Sequence, residues 1–249
     1  MEQLDFAIDA AKKCGNLIRE AYHSEVAVET KGALDFVTRV DRECETLIRE
    51  AVKAEFPEHG VLGEEFGAPS RETEYVWVVD PLDGTSNFVH RIPFFAVSIA
   101  LKKGGNTVLG VVHNPMTGEI FHSVFGKGAY LDGKRLSVRK PGPMDGWFLA
   151  YCFRDSTRLG AAERKVHGSL FPPVGRLLKL GSAALELCYA ASSRVDGYIG
   201  LDLKEWDYAA GELIAKEAGA EVLHTKIEGK SALLAAERTA MATIRGKLE

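Results

Sequence analysis

An apolar run that ends on two acids three positions apart constrains this chain more than any other feature. Val76, Trp77, Val78 and Val79 have the composition of a buried strand, and they lead directly into Asp80, Pro81, Leu82, Asp83, Gly84 and Thr85. Asp, Pro and Gly are turn formers, and an Asp at such a place can begin a turn or cap the next helix. Two like charges beside an apolar strand are unfavourable unless a cation lies between them or one is protonated. A divalent ion removes that conflict, so a metal-ligand role stands beside the turn-and-cap role. The same stretch offers what an anion needs. Pro81 stiffens the turn and can aim the Leu82 carbonyl inward, and Gly84 allows close backbone approach. The Gly84 and Thr85 amides then open a short helix whose N-terminus favours negative charge. Thr85 adds a hydroxyl able to hold and orient a water.

More oxygen donors occur elsewhere. Gly63, Glu64 and Glu65 follow the apolar pair Val61 and Leu62, which puts two carboxylates at a second strand end, a pattern that a solvated turn also explains. Asp207 follows Trp206 at the head of a helical pattern, where Asp is also among the best N-caps. The whole set is hard oxygen with no His or Cys partner, so Mg2+ or Mn2+ suits it better than zinc or copper.

Around these residues the periodicity reads as an α+β fold. Leu4, Ile8, Ala11, Leu17, Ile18 and Ala21 predict an amphipathic helix over the first two dozen residues, broken by Lys31 and Gly32. A second helix is expected to begin at Thr38, with Thr38 and Asp41 spaced as a capping box and Leu47, Ile48, Ala51, Val52 and Phe56 continuing its stripe to Pro57. From Tyr75 the period falls to two: EYVWVVD, FFAVSIALKKGG, NTVLGVVHNPMTGEIFHSVF and GAYLDGKRLSV predict a meander of antiparallel strands. A mixed part follows, with GWFLAYCF, VDGYIG and SALLAA as strands and GSAALELCYAASS, EWDYAAGELIAKEAGA and ERTAMATIRGKL as helices. No linker or internal repeat divides the chain. One unit is expected, built from two interlocked halves of about 1–142 and 143–249.

Composition narrows the partners. A length of 249 residues buries a sizeable core without disulfides, and a net charge of -4 provides no basic field, so no nucleic-acid partner is expected. Cys14, Cys44, Cys152 and Cys188 lie far apart and form no CxxC pair, which reads as buried thiols in a reducing compartment. The N-terminal region has no continuous apolar stretch of signal-peptide type, and no run approaches the roughly 20 apolar residues of a membrane span. A cytoplasmic location is expected. Arg154, Arg158, Arg164 and Lys165 fit a solvated helix face, and a phosphorylated substrate or partner is the rival use of them.

Three blocks, GEE at Gly63–Glu65, WVVDPLDGTSNFVHRIPFFAVSIAL at Trp77–Leu101 and WDYAAGELIAKEAGAEV at Trp206–Val222, resemble the signature blocks of the inositol monophosphatase family, within the Mg2+-dependent, lithium-sensitive phosphatases. The order of elements is collinear with that family over essentially the whole chain. The resemblance implies a layered αβαβα sandwich of the inositol monophosphatase and fructose-1,6-bisphosphatase type, and a homodimer.

By resemblance, Glu64, Asp80 and the Leu82 carbonyl hold one Mg2+, and Asp80, Asp83 and Asp207 hold a second, with Asp80 bridging. Two metals about 4 Å apart can clamp the attacking and leaving oxygens of an in-line displacement. Glu65 and Thr85 then place the attacking water. Asp41 matches the family acid that hydrogen-bonds this threonine or supports a weak third metal, while its capping role stays open. Lys31 matches a basic residue of a loop near the phosphate. The substrate-binding set implied is Asp83, Gly84 and Thr85 for the phosphate, with Gly181, Ser182 and Ala183 lining the leaving-group pocket. The implied reaction is direct hydrolysis of a small phosphate ester, with no phospho-enzyme and no Ser or Cys nucleophile.

The substrate is where the chain departs from the family pattern. Inositol-1-phosphatases usually carry a Glu seven residues before the Asp of the W-D pair, and here that position is Gly200, with Asp202 nearby as a substitute. Inositol 1-phosphate leads, with fructose 1,6-bisphosphate and histidinol phosphate as alternatives and 3'-phosphoadenosine 5'-phosphate least favoured. A phosphatase-like regulatory or binding protein is the reading from another class.

Overall fold

The structure, a computed structural model, describes residues 2–24, 28–32, 35–69, 72–153, 160–171 and 173–248, the stretches 28–32 and 35–38 by backbone alone. The Lys31 and Thr38 side chains and residues Arg154 and Arg158 lie outside what is described.

Helix α1 (Glu2–Tyr22) leads to a hairpin, β1 (Val28–Gly32) with β2 (Asp35–Thr38), and then to helix α2 (Arg39–Glu55). Strands β3 (Gly60–Gly63) and β4 (Tyr75–Asp83), the short helix α3 (Thr85–Val89), and strands β5 (Ala96–Lys103), β6 (Asn106–His113), β7 (Ile120–Val124), β8 (Ala129–Leu131) and β9 (Lys134–Arg135) follow. The remainder is β10 (Phe148–Phe153), α4 (Gly160–Leu170), β11 (Arg176–Leu178), α5 (Ala183–Ala191), β12 (Gly197–Leu201), α6 (Glu205–Glu217), β13 (Glu221–Ile227), β14 (Lys230–Ala236) and α7 (Arg238–Leu248).

Three cores define five layers. Helices α1 and α2 each present one apolar stripe, and Ala7, Ala11, Ile18, Ile48 and Val52 pack on Trp77, Val79, Ile99 and Val111 of a seven-stranded sheet ordered β3 to β9. The meander is antiparallel from β4 to β9, as its turn chemistry predicts, while β3 joins β4 in parallel. The opposite face of that sheet meets α5 and α6, whose Ala184, Leu187, Ala210 and Ile214 also pack toward Ala150, Tyr198 and Leu233 of a five-stranded sheet ordered β11-β10-β12-β14-β13. Helices α4 and α7 cover the outer face of the second sheet through Val166, Leu170, Met241 and Ile244.

The sequence of the middle layer follows from being covered on both sides. A helix apolar all round is a buried helix, and in α5 even Glu186 is fully buried. Small residues let α6 come close to its neighbours: a Cβ on Gly110 would lie 2.8 Å from the Ala210 carbonyl, and one on Gly211 would lie 2.8 Å from Leu187 Cβ.

Two expectations need correction. The apolar strand does not stop at Asp80. It continues to Asp83 through an irregularity, pairing Asp80 with Ser98 and Asp83 with Ala96, so two residues between them have no paired partner across the ladder. Strand β13 was not expected from its sequence, because four of its seven residues are polar or charged; it forms as an edge strand on β14. Among the described residues no helix is long and apolar enough to cross a membrane.

Candidate active site

The irregularity in β4 is what gathers the site. It brings Asp83 to the start of α5 and the Leu82 carbonyl to Thr85, and Asp80, Leu82 and Asp83 are all buried. Leu82 N–H donates to Asp80 Oδ1 at 3.1 Å, which fixes that carboxylate against its own backbone.

Gly84 follows in the left-handed region at φ 98°. A Cβ there would be strained by conformation and would lie 3.0 Å from the Gly181 carbonyl, so only glycine suits both demands. Asn87 then ties α3 to the neighbouring loop, its amide donating to the Phe94 and Leu180 carbonyls at 2.7 Å each.

Thr85 Oγ1 stands 3.2 Å from Asp41 Oδ1 and 2.9 Å from the Leu82 carbonyl. The contact with buried Asp41 joins residues 44 apart in sequence. Asp41 is the third residue of α2.

Asp83 is held by the start of α5. Ser182 Oγ donates to it at 2.5 Å, and the amides of Ala183 and Ala184 donate at 3.3 and 2.8 Å. Burial pushes the Asp83 carboxyl up to about 6, although these three donors pull the other way. Ser182 and Ala183 are buried, and their contacts in this structure orient Asp83.

Asp207 is not the N-cap of α6. It is the third helical residue, and its Oδ2 accepts the Lys204 N–H at 2.7 Å, the reciprocal half of a capping box.

These acids act on one another. Burial holds the Asp80 carboxyl well above the ordinary carboxylate range, and Glu64, Asp83, Asp207 and Asp41 push it further in the same direction. Among the described residues no three His, Cys, Asp or Glu side chains form a closed metal cage. The donor chemistry still fits a hard divalent cation: several carboxylates from four separate segments converge on a buried one, and a positive ion would reverse each of those repulsions.

Sequence reasoning missed two buried glutamates behind the site. Glu45, on α2, accepts the Glu65 N–H at 2.7 Å and the Phe66 N–H at 3.2 Å, and pairs with Arg49 at 2.8 Å. Glu186, on α5, accepts the Leu180 and Gly181 N–H groups on one oxygen at 2.7 and 2.8 Å. Its other oxygen has no hydrogen-bond partner among the described residues, and burial raises its carboxyl well above the usual range. The D-R-E-C-E and A-A-L-E patterns that contain them read only as helix. An acid on the apolar stripe of a predicted helix was the available signal.

At Gly200 a Cβ would collide with the Leu203 side chain and stand 2.9 Å from the Tyr198 hydroxyl. Leu203 therefore occupies the space into which a side chain at position 200 would grow.

Comparison with known proteins identifies relatives of the whole chain. The profile of the "Inositol monophosphatase family" matches residues 1–248. "Nus factor SuhB" of Vibrio cholerae is 44% identical over 223 residues, covering 88% of this chain and 84% of that protein. The crystal structure of extragenic suppressor protein suhB from Bartonella henselae superposes with a TM-score of 0.94 at 31% identity, over 100% of this chain and 99% of that one. The Thermotoga maritima IMPase gives 0.87 at 30% identity, over 99% and 97%.

Proposed function

The chain belongs to the inositol monophosphatase family, and from that premise we propose that it is a Mg2+-dependent phosphomonoesterase acting on a small polyol or sugar phosphate, inositol 1-phosphate first. The observation that carries this reading is the burial of Asp41, Asp80, Asp83 and Asp207, with Asp41 bonded to Thr85 and Asp83 to the start of α5.

Glu64, Asp80, Asp83, Asp207 and the Leu82 carbonyl are the ligand set for two or three Mg2+ ions, with Mn2+ as a substitute. When bound, the ions supply Lewis-acid neutralisation of the phosphoryl oxygens and acidify water. The chain's own groups do the positioning. Thr85 donates its proton toward Asp41 or Leu82, which leaves its oxygen lone pairs to accept from a water and orient it. Glu65 is placed as the second acceptor for that water. The amides of Gly84 and Thr85 face phosphate oxygens, and Ser182, Ala183 and Ala184 keep Asp83 turned inward. In-line attack breaks the phosphorus–oxygen ester bond, releases the alcohol and leaves inorganic phosphate. Gly181 with Ser182 and Ala183 borders the leaving group. The substrate's distal hydroxyls meet no acid at position 200, which supports keeping fructose 1,6-bisphosphate and histidinol phosphate as alternatives. A homodimer is part of the proposal.

The name of the curated relatives, a Nus factor, denotes no enzymatic activity and favours a second reading, a regulatory or binding role on the same fold. On that reading the expectation of no nucleic-acid partner is set aside.

Phosphate release with Mg2+ across inositol 1-phosphate, fructose 1,6-bisphosphate, histidinol phosphate and 3'-phosphoadenosine 5'-phosphate tests the two readings. Turnover of one ester that disappears in Asp80→Asn is expected. A folded protein that releases phosphate from none of them supports the regulatory role.

A further inference from the structure

The loop that carries Glu64 and Glu65 is closed on itself and then fastened from behind. Gly63 and Gly67 exchange two backbone hydrogen bonds of 3.1 Å, which leaves residues 64–66 as a tight excursion at the end of β3. Such an excursion directs its amides inward, and buried amides need acceptors. The acceptor is Glu45, a fully buried side chain that comes from α2 and takes the Glu65 and Phe66 N–H groups on its two oxygens.

Arg49, one turn further along α2, completes the arrangement. Its guanidinium donates to Glu45, to the Val61 carbonyl at 3.2 Å and to the Gly67 carbonyl at 2.7 Å, and it lies over the Phe66 ring at 5.7 Å from the centroid. The pair thus grips both the entry and the exit of the excursion. Gly63 is part of the same fit, since a Cβ there would fall on the Glu45 carboxylate.

We propose that Glu45, backed by Arg49 and admitted by Gly63, is a positioning residue that sets divalent-cation affinity by fixing the Glu64–Glu65 loop from behind. The inference rests on the metal-site reading above. The same helix supplies Asp41 one turn earlier, so α2 holds two parts of the site in one rigid frame. Groups that orient metal ligands from behind typically change metal affinity about 10–100-fold when removed.

The test is Mg2+ titration by calorimetry on the full chain, with thermal melts of the metal-free protein alongside. Glu45→Gln keeps the volume but presents an amide N–H2 to a backbone donor, and is expected to raise the Mg2+ dissociation constant about 10-fold or more. If the chain turns over an ester, the Mg2+ half-saturation constant should rise much more than kcat falls. Gly63→Ala should weaken Mg2+ binding in the native background and add little in a Glu45→Ala background, where the space is already open. A Glu45→Gln protein that melts earlier yet binds Mg2+ as tightly as the parent overturns the proposal and leaves the metal site standing. Failure of the parent to bind Mg2+ overturns the metal-site reading, and this inference with it.

Discussion

Glu45 and Glu186 hold two loops of the same site by the same device, yet with opposite electrostatics. Each is a fully buried glutamate on a helix, and each accepts two successive backbone N–H groups from a loop that borders Asp80 or Asp83. Glu45 is paired with Arg49, whose side chain reaches solvent. Glu186 forms no ion pair among the described residues and keeps one oxygen without a hydrogen bond. The first anchor works as a carboxylate held by a cation. The second works as a buried carboxyl whose ionisation is resisted, so its shape matters more than its charge.

The largest effect expected from this contrast is in the first loop. Glu45→Ala leaves two backbone amides without their acceptor and takes one of three acceptors from Arg49, and unsatisfied buried donors of this kind cost about 3 kcal/mol together. Urea unfolding should show a lower midpoint at unchanged slope. A midpoint like that of the parent would erase the distinction between the anchors.

Glu186→Gln is the matching change in the second loop. Its amide oxygen still accepts from Leu180 and Gly181, so at neutral pH the loss should stay within about 1 kcal/mol. The sign of the pH dependence sharpens the comparison. With its folded value raised well above 4.5, Glu186 keeps its proton in the folded chain while the unfolded chain releases it. Stability of the parent therefore falls as pH climbs above 4.5 toward the folded value. Urea unfolding at about pH 5 and about pH 7.5 should find that part of the fall missing in Glu186→Gln. An unchanged pH profile would mean that Glu186 is ionised in the fold.

Ser182→Ala probes the smallest difference. It removes one of three donors to Asp83 and keeps the two amides, so a loss of about 1 kcal/mol is expected, with the Asp83 carboxyl moving up from about 6. A carbon NMR titration of Asp83 reads that shift directly. Movement downward would show that the hydroxyl does not stabilise the charged form.

The contrast between the anchors also explains what could be read from the sequence. Asp80 and Asp83 announce themselves because two charges interrupt an apolar strand, and the middle-layer helices announce themselves because α5 is apolar on every side. The irregularity that lets β4 run on to Asp83 has no such mark, since Pro81 and Gly84 read equally well as a strand end. The N-cap reading of Asp207 misses by a small margin, because N-cap and third helical residue differ by a few positions that propensity does not resolve. Glu186 acts on residues five and six before it, so its role is local and could have been suspected from G-S-A-A-L-E. Glu45 acts twenty residues ahead through backbone amides, so its place on the apolar stripe of α2 marks it as buried without showing what it holds.

The most direct test of the account is the melting temperature of the parent and of Asp80→Asn, each with and without Mg2+. Asn keeps the oxygen that accepts from Leu82 and removes a carboxyl whose ionisation burial and the acids Glu64, Asp83 and Asp207 oppose. The account predicts that metal-free Asp80→Asn melts above the metal-free parent, and that Mg2+ raises the parent's melting temperature but not the variant's. A variant that melts lower without metal and still gains stability from Mg2+ would contradict a cation centre built on Asp80.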